Sequence, residues 1–182
     1  MGDAITKKAE YLLNNVDIAS KEYITFWINS IFLSWRWWLC TIIVLGAWIL
    51  WFIFRNKKCT SRLLLAGFLT MSIAELLDTM GEQLGIWSYN IDVEPFSPAF
   101  VTFDITLLPV ATMIFLQYKP NANPFIKALI FSGIGSFVAQ PVFAFLGIYN
   151  RQLWKDYYSF PIFIVIYLAA HYISRLNSFD KL

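Results

Sequence analysis

Residues 63–80 read LLLAGFLTMSIAELLDTM, an apolar run of membrane-span length that contains Glu75 and Asp78 but no Lys or Arg. About 20 apolar residues in a helix cross the hydrocarbon core. An ionised carboxylate there is costly, so it faces a bundle interior or a wet cavity and usually serves a function. The next apolar run, 98–117, carries a third such acid, Asp104.

Further runs occur at 37–54, 125–148 and 158–174, separated by short loops. The chain has 182 residues, 58% of them apolar, 19% aromatic and only 14% charged. A soluble domain is nearer half apolar and a quarter charged. With no water to satisfy backbone groups, these runs should be helices. The expected fold is therefore an all-α membrane protein: five transmembrane helices in a compact bundle (37–182), preceded by an amphipathic segment (1–36). No internal repeat is evident.

In residues 1–36, Ile5, Ala9, Leu12, Val16, Ala19, Tyr23 and Phe26 recur every three or four positions, the helical period. Charged residues fall mainly elsewhere on the wheel. The segment reads as an interfacial helix, interrupted at Asn14-Asn15, or as a helix packed across the bundle mouth. Trp35, Trp37 and Trp38 read as an interfacial anchor.

Arg55, Lys57, Lys58 and Arg62 follow the first run, and the next loop carries Glu82, Asp92 and Glu94 without a base. Lys119 and Lys127 lie around the third loop; Arg151 and Lys155 vote the other way. The basic loops should be cytoplasmic, which places the protein in a plasma membrane with its N-terminus outside and its C-terminus in the cytoplasm.

The net charge of +2 leaves no basic face for nucleic acid. With His171 as the only histidine, a multi-histidine metal site is excluded, and no metal or cofactor is expected. Cys40 and Cys59 should lie at different depths, too far apart to pair.

Glu75, Asp78 and Glu82 are spaced i, i+3, i+7 and should share one helix face, extended a turn deeper by Ser72. Opposite helix directions bring Glu75, Asp78 and Asp104 to one depth in the outer half of the bilayer. Gln140 reaches the same level, and prolines at 109 and 141 interrupt their helices, which can open a cavity. Trp87, Tyr89, Tyr149, Trp154 and Tyr158 could rim it. On the inner side, Gln117, Tyr118 and His171 suggest a separate polar contact. Gly133, Gly135, Ser132 and Ser136 form a small-residue packing face.

Two close carboxylates cannot both ionise cheaply, so the site should hold a proton. Glu75, Asp78 and Asp104 are then candidate general acids, with the aromatic rim and Gln140 binding substrate. They could protonate an alkene or epoxide of an isoprenoid or lipid-like molecule, with aromatic faces stabilising the cation. The same acids could pass protons or cations, in a homo-oligomer if they form a pore. A non-catalytic accessory subunit is the third reading.

The stretch Leu77-Asp78 … Gly85-Ile86-Trp87-Ser88-Tyr89, with Pro95, Asp104, Pro109, Gln117-Tyr118, Gly147-Ile148-Tyr149, Trp154 and Tyr158-Ser159-Phe160-Pro161, resembles a family of small multi-pass membrane proteins of spore-forming Firmicutes. That resemblance implies a bacterial plasma-membrane protein and no particular activity. More remotely, an acid on a helix followed by Gly-x-Trp-x-Tyr is similar to the membrane domains of carotenoid (lycopene) cyclases and related terpene cyclases. That likeness would make Asp78, and with it Glu75, acids that protonate a polyene. The second acidic motif of those cyclases has no counterpart, because Glu94-Pro95 reverses its order.

Overall fold

The computed structural model describes residues 2–97 and 100–176; Pro98, where the third run was expected to begin, lies outside them. The chain is mostly helical. Helix α1 spans Gly2–Phe26 and ends in a π-helical turn, Trp27–Ile31. Helix α2 is Trp35–Phe54, and α3 is Thr60–Gln83. Helix α4, Val101–Gln117, opens as a π-helix over Val101–Leu107. Helix α5, Pro124–Phe145, contains a π-helical stretch at Gly135–Ala139, and α6 is Asp156–Ile173. Each expected run coincides with a helix, apart from shifts of a few residues at the ends.

Among the described residues, three helices are long and apolar enough to cross a membrane: Trp35–Phe54, Lys57–Gln83 and Pro124–Phe145. Val101–Gln117 is apolar but shorter. Helix α2 buries Cys40 and Trp51 against α4 and leaves Ile42, Leu45, Ile49, Phe52 and Ile53 exposed. An apolar face of that extent does not belong in water. Helix α4 lies at the centre, touching α2, α3, α5 and α6.

Small residues let α3 approach α4. Leu63, Ala66, Gly67, Thr70, Ala74, Asp78 and Gly81 form its buried stripe. A Cβ on Gly67 would lie 2.9 Å from Met113 Sδ. The small-residue face of α5 is only partly a packing face. Gly135 lies against Phe163, but Gly133 has no neighbour within 4 Å of where a Cβ would be.

The N-terminal segment departs from one expectation and loses one of its two alternative readings. Helix α1 runs unbroken through Asn14-Asn15, and residues 3–22 are exposed rather than packed across the bundle. Two asparagines disfavour a helix only weakly. Its end docks, Trp27 Nε1 donating to Asp92 O at 3.1 Å; from the start of α2, Trp37 Nε1 donates to the adjacent Val93 O at 3.0 Å. Trp35, Trp37 and Trp38 lie in the first turn of α2. Ser34 caps that turn, its Oγ accepting from Trp37 N.

Most of the loop charges separate to two ends, with Arg36 and Lys155 remaining at the acidic one. Gln117 joins the end of α4 to that of α2: its Oε1 accepts from Asn56 N, and its Nε2 donates to Phe54 O. Arg175 donates to Pro120 O. Arg55, Lys57, Lys58, Arg62, Lys119 and Arg175 therefore share one end. Glu82, Asp92, Glu94 and Asp156 lie at the other. Arg151, which argued against this polarity in the sequence, is paired with Asp156 at 2.8 Å.

At the acidic end, α3 and α5 stop in the same way. Gly85 N donates to Glu82 O and Ile86 N to Gly81 O; Gly147 N donates to Ala144 O and Ile148 N to Phe143 O. Both are Schellman ends, with a left-handed glycine (φ +66° and +69°) followed by isoleucine and an aromatic residue. The two exits form a small antiparallel ladder, β1 (Ser88–Tyr89) with β2 (Tyr149–Asn150), pairing Tyr89 with Tyr149. This ladder, absent from the all-α expectation, holds the loop aromatics over the bundle. Gly147→Ala should cost about 1 kcal/mol, because alanine pays for a left-handed backbone, read as lower thermal stability in detergent. A Cβ there would also lie 3.3 Å from the Arg36 guanidinium.

Candidate functional site

The ladder roofs a cavity of about 60 Å³ among α3, α4, α5 and α6. Asp78, Asp104, Gln140 and Ser159 supply its polar groups; Trp87, Tyr89, Tyr149 and Trp154 stand at its rim. The remaining wall is apolar and includes Leu77, Phe103, Leu108, Ile162 and Phe163.

Asp78 and Asp104 are 5% and 4% exposed and face each other across Phe100 N. Asp78 Oδ1 accepts from Trp87 Nε1 at 2.7 Å and from Tyr89 OH at 2.9 Å. Phe100 N lies between the two acids, 3.4 Å from Asp78 Oδ2 and 3.2 Å from Asp104 Oδ2. Two buried carboxyl groups this close cannot both ionise cheaply, so one of them should hold a proton. The donors converge on Asp78, so Asp78 suits the carboxylate role and Asp104 the acid.

The prolines help place these groups. Pro109 and Pro141 each follow a π-helical segment, Val101–Leu107 and Gly135–Ala139. Proline lacks the N–H that an α-helix would give the carbonyl one turn earlier, and the wider π turn absorbs the mismatch. Asp104 lies in the first π segment, and Gln140 directly follows the second. π turns inside α-helices are uncommon and frequent at functional sites.

Three expected positions fall elsewhere. Glu75 is exposed on the outer face of α3. The buried stripe passes through Ala74 and Asp78, and Glu75 sits about 100° round from Ala74 on a helix of 3.6 residues per turn. Ser72 is exposed for the same reason. Tyr158 is 41% exposed and stacks edge-on against Trp154 at 5.3 Å, outside the cavity wall. Ser159 takes part instead, its Oγ accepting from Trp154 Nε1 at 2.8 Å. At the other end, Tyr118 O accepts from Lys127 Nζ, whereas the His171 ring only meets Tyr172 edge-on.

A second pocket, of about 210 Å³, opens above the first and is lined by Tyr23, Glu82, Asp92 and Glu94. Tyr89 lines both pockets, and its ring stacks on Phe100 at 4.2 Å. Comparison with protein-family models, curated proteins and solved structures returns no match for this chain. The chemistry must therefore come from the residues alone.

In the upper pocket, burial pushes the Asp92 carboxyl up to about 7, against the opposing bonds from Val93 N (2.7 Å) and Val101 N (3.1 Å). The nearby Glu94 and Glu82 charges add to the rise. Its folded value lies above the ordinary carboxyl value of about 4, so its contribution to stability is complete below about 4 and is lost as pH rises through about 7. Loop 91–97 should therefore exchange its amide hydrogens faster as pH rises through this window, after correction for intrinsic exchange. Asp92→Asn should flatten the dependence; increasing protection with pH would contradict it.

Proposed function

We propose that the chain is a five-span plasma-membrane protein, N-terminus outside and C-terminus cytoplasmic, whose Asp78–Asp104 pair donates a proton to the unsaturated end of an isoprenoid or other lipid-like chain. The observation that carries this reading is the carboxyl pair, buried beneath aromatic rings and beside an apolar wall. The segregation of basic and acidic ends supports the orientation. The motif resemblance to bacterial membrane proteins supports the location.

The cavity limits the substrate. About 60 Å³ accommodates a handful of water molecules, so a chain end fits and a whole polyene does not. Leu77 and Ile162, half-exposed on α3 and α6, mark the side from which a chain would enter from lipid. Asp104 would give its proton to the alkene, leaving both carboxyls ionised opposite a cation faced by the rings of Trp87, Tyr89, Tyr149 and Trp154; return of a different proton from the cation to Asp104 would restore the pair and release an isomerised or cyclised alkene.

Proton or cation passage is favoured by a different observation. Among the described residues, the hydroxyls of Ser132, Ser136 and Tyr167 are buried in the bundle without a hydrogen-bond partner, as is Gln140 Oε1. Unpartnered polar groups of this kind commonly border water.

Lipids co-purifying with wild type, Asp104→Asn and the exposed-acid control Glu75→Gln can be identified by mass spectrometry. An unsaturated lipid, or its isomerised or cyclised product, should accompany wild type and Glu75→Gln, with product missing from Asp104→Asn. No enriched lipid, combined with Asp104-dependent proton or cation flux in liposomes, would replace this reading with passage. Neither signal would leave an accessory subunit.

A further inference from the structure

The basic end has a groove of its own. Where α4 and α5 part, a space of about 450 Å³ is walled by Ile114, Phe115, Ile126 and Ile130, with Lys119 and Lys127 also lining it. The walls face outward: Ile114, Ile126 and Ile130 are 39%, 57% and 51% exposed.

The lysines make this more than a greasy surface. Lys127 is only 8% exposed. Its ammonium donates to Tyr118 O at 2.8 Å, using one of three donors on a neutral acceptor. Lys119 has a left-handed backbone (φ +41°), and its ammonium lies 5.5 Å from the centroid of the Tyr118 ring. Arg175 reaches Pro120 O in the same turn. Residues 118–127 contain no Asp or Glu, and among the described residues none of these three cations forms an ion pair. A buried charge without a counter-ion is costly. Basic pockets between membrane helices on the cytoplasmic side bind anionic headgroups.

We propose that this groove binds an anionic phospholipid of the leaflet at the basic end. Its phosphate pairs with Lys119 and Lys127, and one acyl chain lies along Ile114, Phe115, Ile126 and Ile130. The headgroup supplies the missing negative charge, and the chain covers the exposed wall. The site rests on α4 and α5 spanning the membrane, and is separate from the carboxyl pair at the opposite end.

Native mass spectrometry of the full chain in detergent would test it, with phosphatidylglycerol and phosphatidylcholine of equal chain length added in turn. Wild type should retain phosphatidylglycerol at least tenfold more strongly. Lys119→Gln, at an exposed position, should cut that preference about fivefold, the ~1 kcal/mol of a lysine near an anionic headgroup. Lys119→Gln combined with Lys127→Met should bring it near that of phosphatidylcholine. Ile130→Trp, which fills the groove, should weaken both lipids. Equal retention of the two lipids, a preference indifferent to Lys119→Gln, or displacement of the lipid by inorganic phosphate alone would overturn the proposal. Failure of the spanning reading looks different, since the protein would then leave the membrane fraction in a carbonate wash.

Discussion

Asp78→Ala is expected to destabilise the protein strongly, whereas Asp104→Asn should fold almost normally and lose only the exchangeable proton. Asp78 accepts from Trp87 Nε1, Tyr89 OH and Phe100 N, and meets Asp104 as well. Alanine leaves Trp87 Nε1 and Tyr89 OH, both part-buried, without this acceptor, at about 1–3 kcal/mol for each, while Phe100 N keeps Asp104 Oδ2. Two such losses, about 2–6 kcal/mol together, are a large fraction of the 5–15 kcal/mol that holds an ordinary domain together. Asn at 104 keeps an oxygen for Phe100 N, which Asp104 Oδ2 accepts at 3.2 Å, and offers Asp78 an N–H in place of the acid O–H. Its cost should be about 1 kcal/mol or less, the scale of one altered hydrogen bond. Thermal unfolding in detergent measures the stability difference. Infrared spectroscopy measures the proton: well above pH 7, where Asp92 is ionised, wild type should keep a protonated-carboxyl C=O band that is missing in Asp104→Asn. A stable Asp78→Ala, or a band unchanged by Asp104→Asn, would sink the shared-proton arrangement.

The contrast between Glu75 and Asp78 shows what the sequence could reveal. The positions of the helices were legible because length and apolarity decide them, and both properties are local. Depth was legible for Asp78 and Asp104, because successive helices run in opposite directions. Azimuth was not. A spacing of i, i+3, i+7 puts three acids on one broad face, but the contact with α4 is set by Ala66, Gly67, Thr70 and Ala74. That narrower stripe includes Asp78 and excludes Glu75. The π segments were half-legible, since Pro109 and Pro141 marked the interruptions without stating their form. The ladder joining Tyr89 to Tyr149 depends on the pairing of two distant turns, and only the repeated Gly-Ile-aromatic sequence hinted at it. Ser159 was visible within Tyr158-Ser159-Phe160-Pro161, but nothing local shows that Trp154 bonds to it rather than to a neighbour.

Gly81→Ala should be the most damaging one-methyl change in the chain. A Cβ at residue 81 would fall within the indole of Trp87, so the ring could not remain where it is. Moving it breaks the 2.7 Å bond to Asp78 and disturbs the edge contact with Trp154, 4.8 Å away between centroids. Trp154 in turn donates to Ser159 on the cavity wall. Intrinsic helix propensity acts in the opposite direction, favouring alanine by about 1 kcal/mol. Overpacking together with the lost bond should outweigh it, for a net loss of about 2–4 kcal/mol. Gly46→Ala and Gly133→Ala are matched controls, because a Cβ at either position has no neighbour within 4 Å; each should leave stability unchanged or raise it. The decisive measurement is the double variant. If the clash with the indole is the cause, Gly81→Ala/Trp87→Ala should be less destabilised than the sum of its parts, by about 0.5–3 kcal/mol as for residues in contact. Strict additivity would place the damage in the helix itself and release Trp87 from its role as the piece that α3 holds against Asp78.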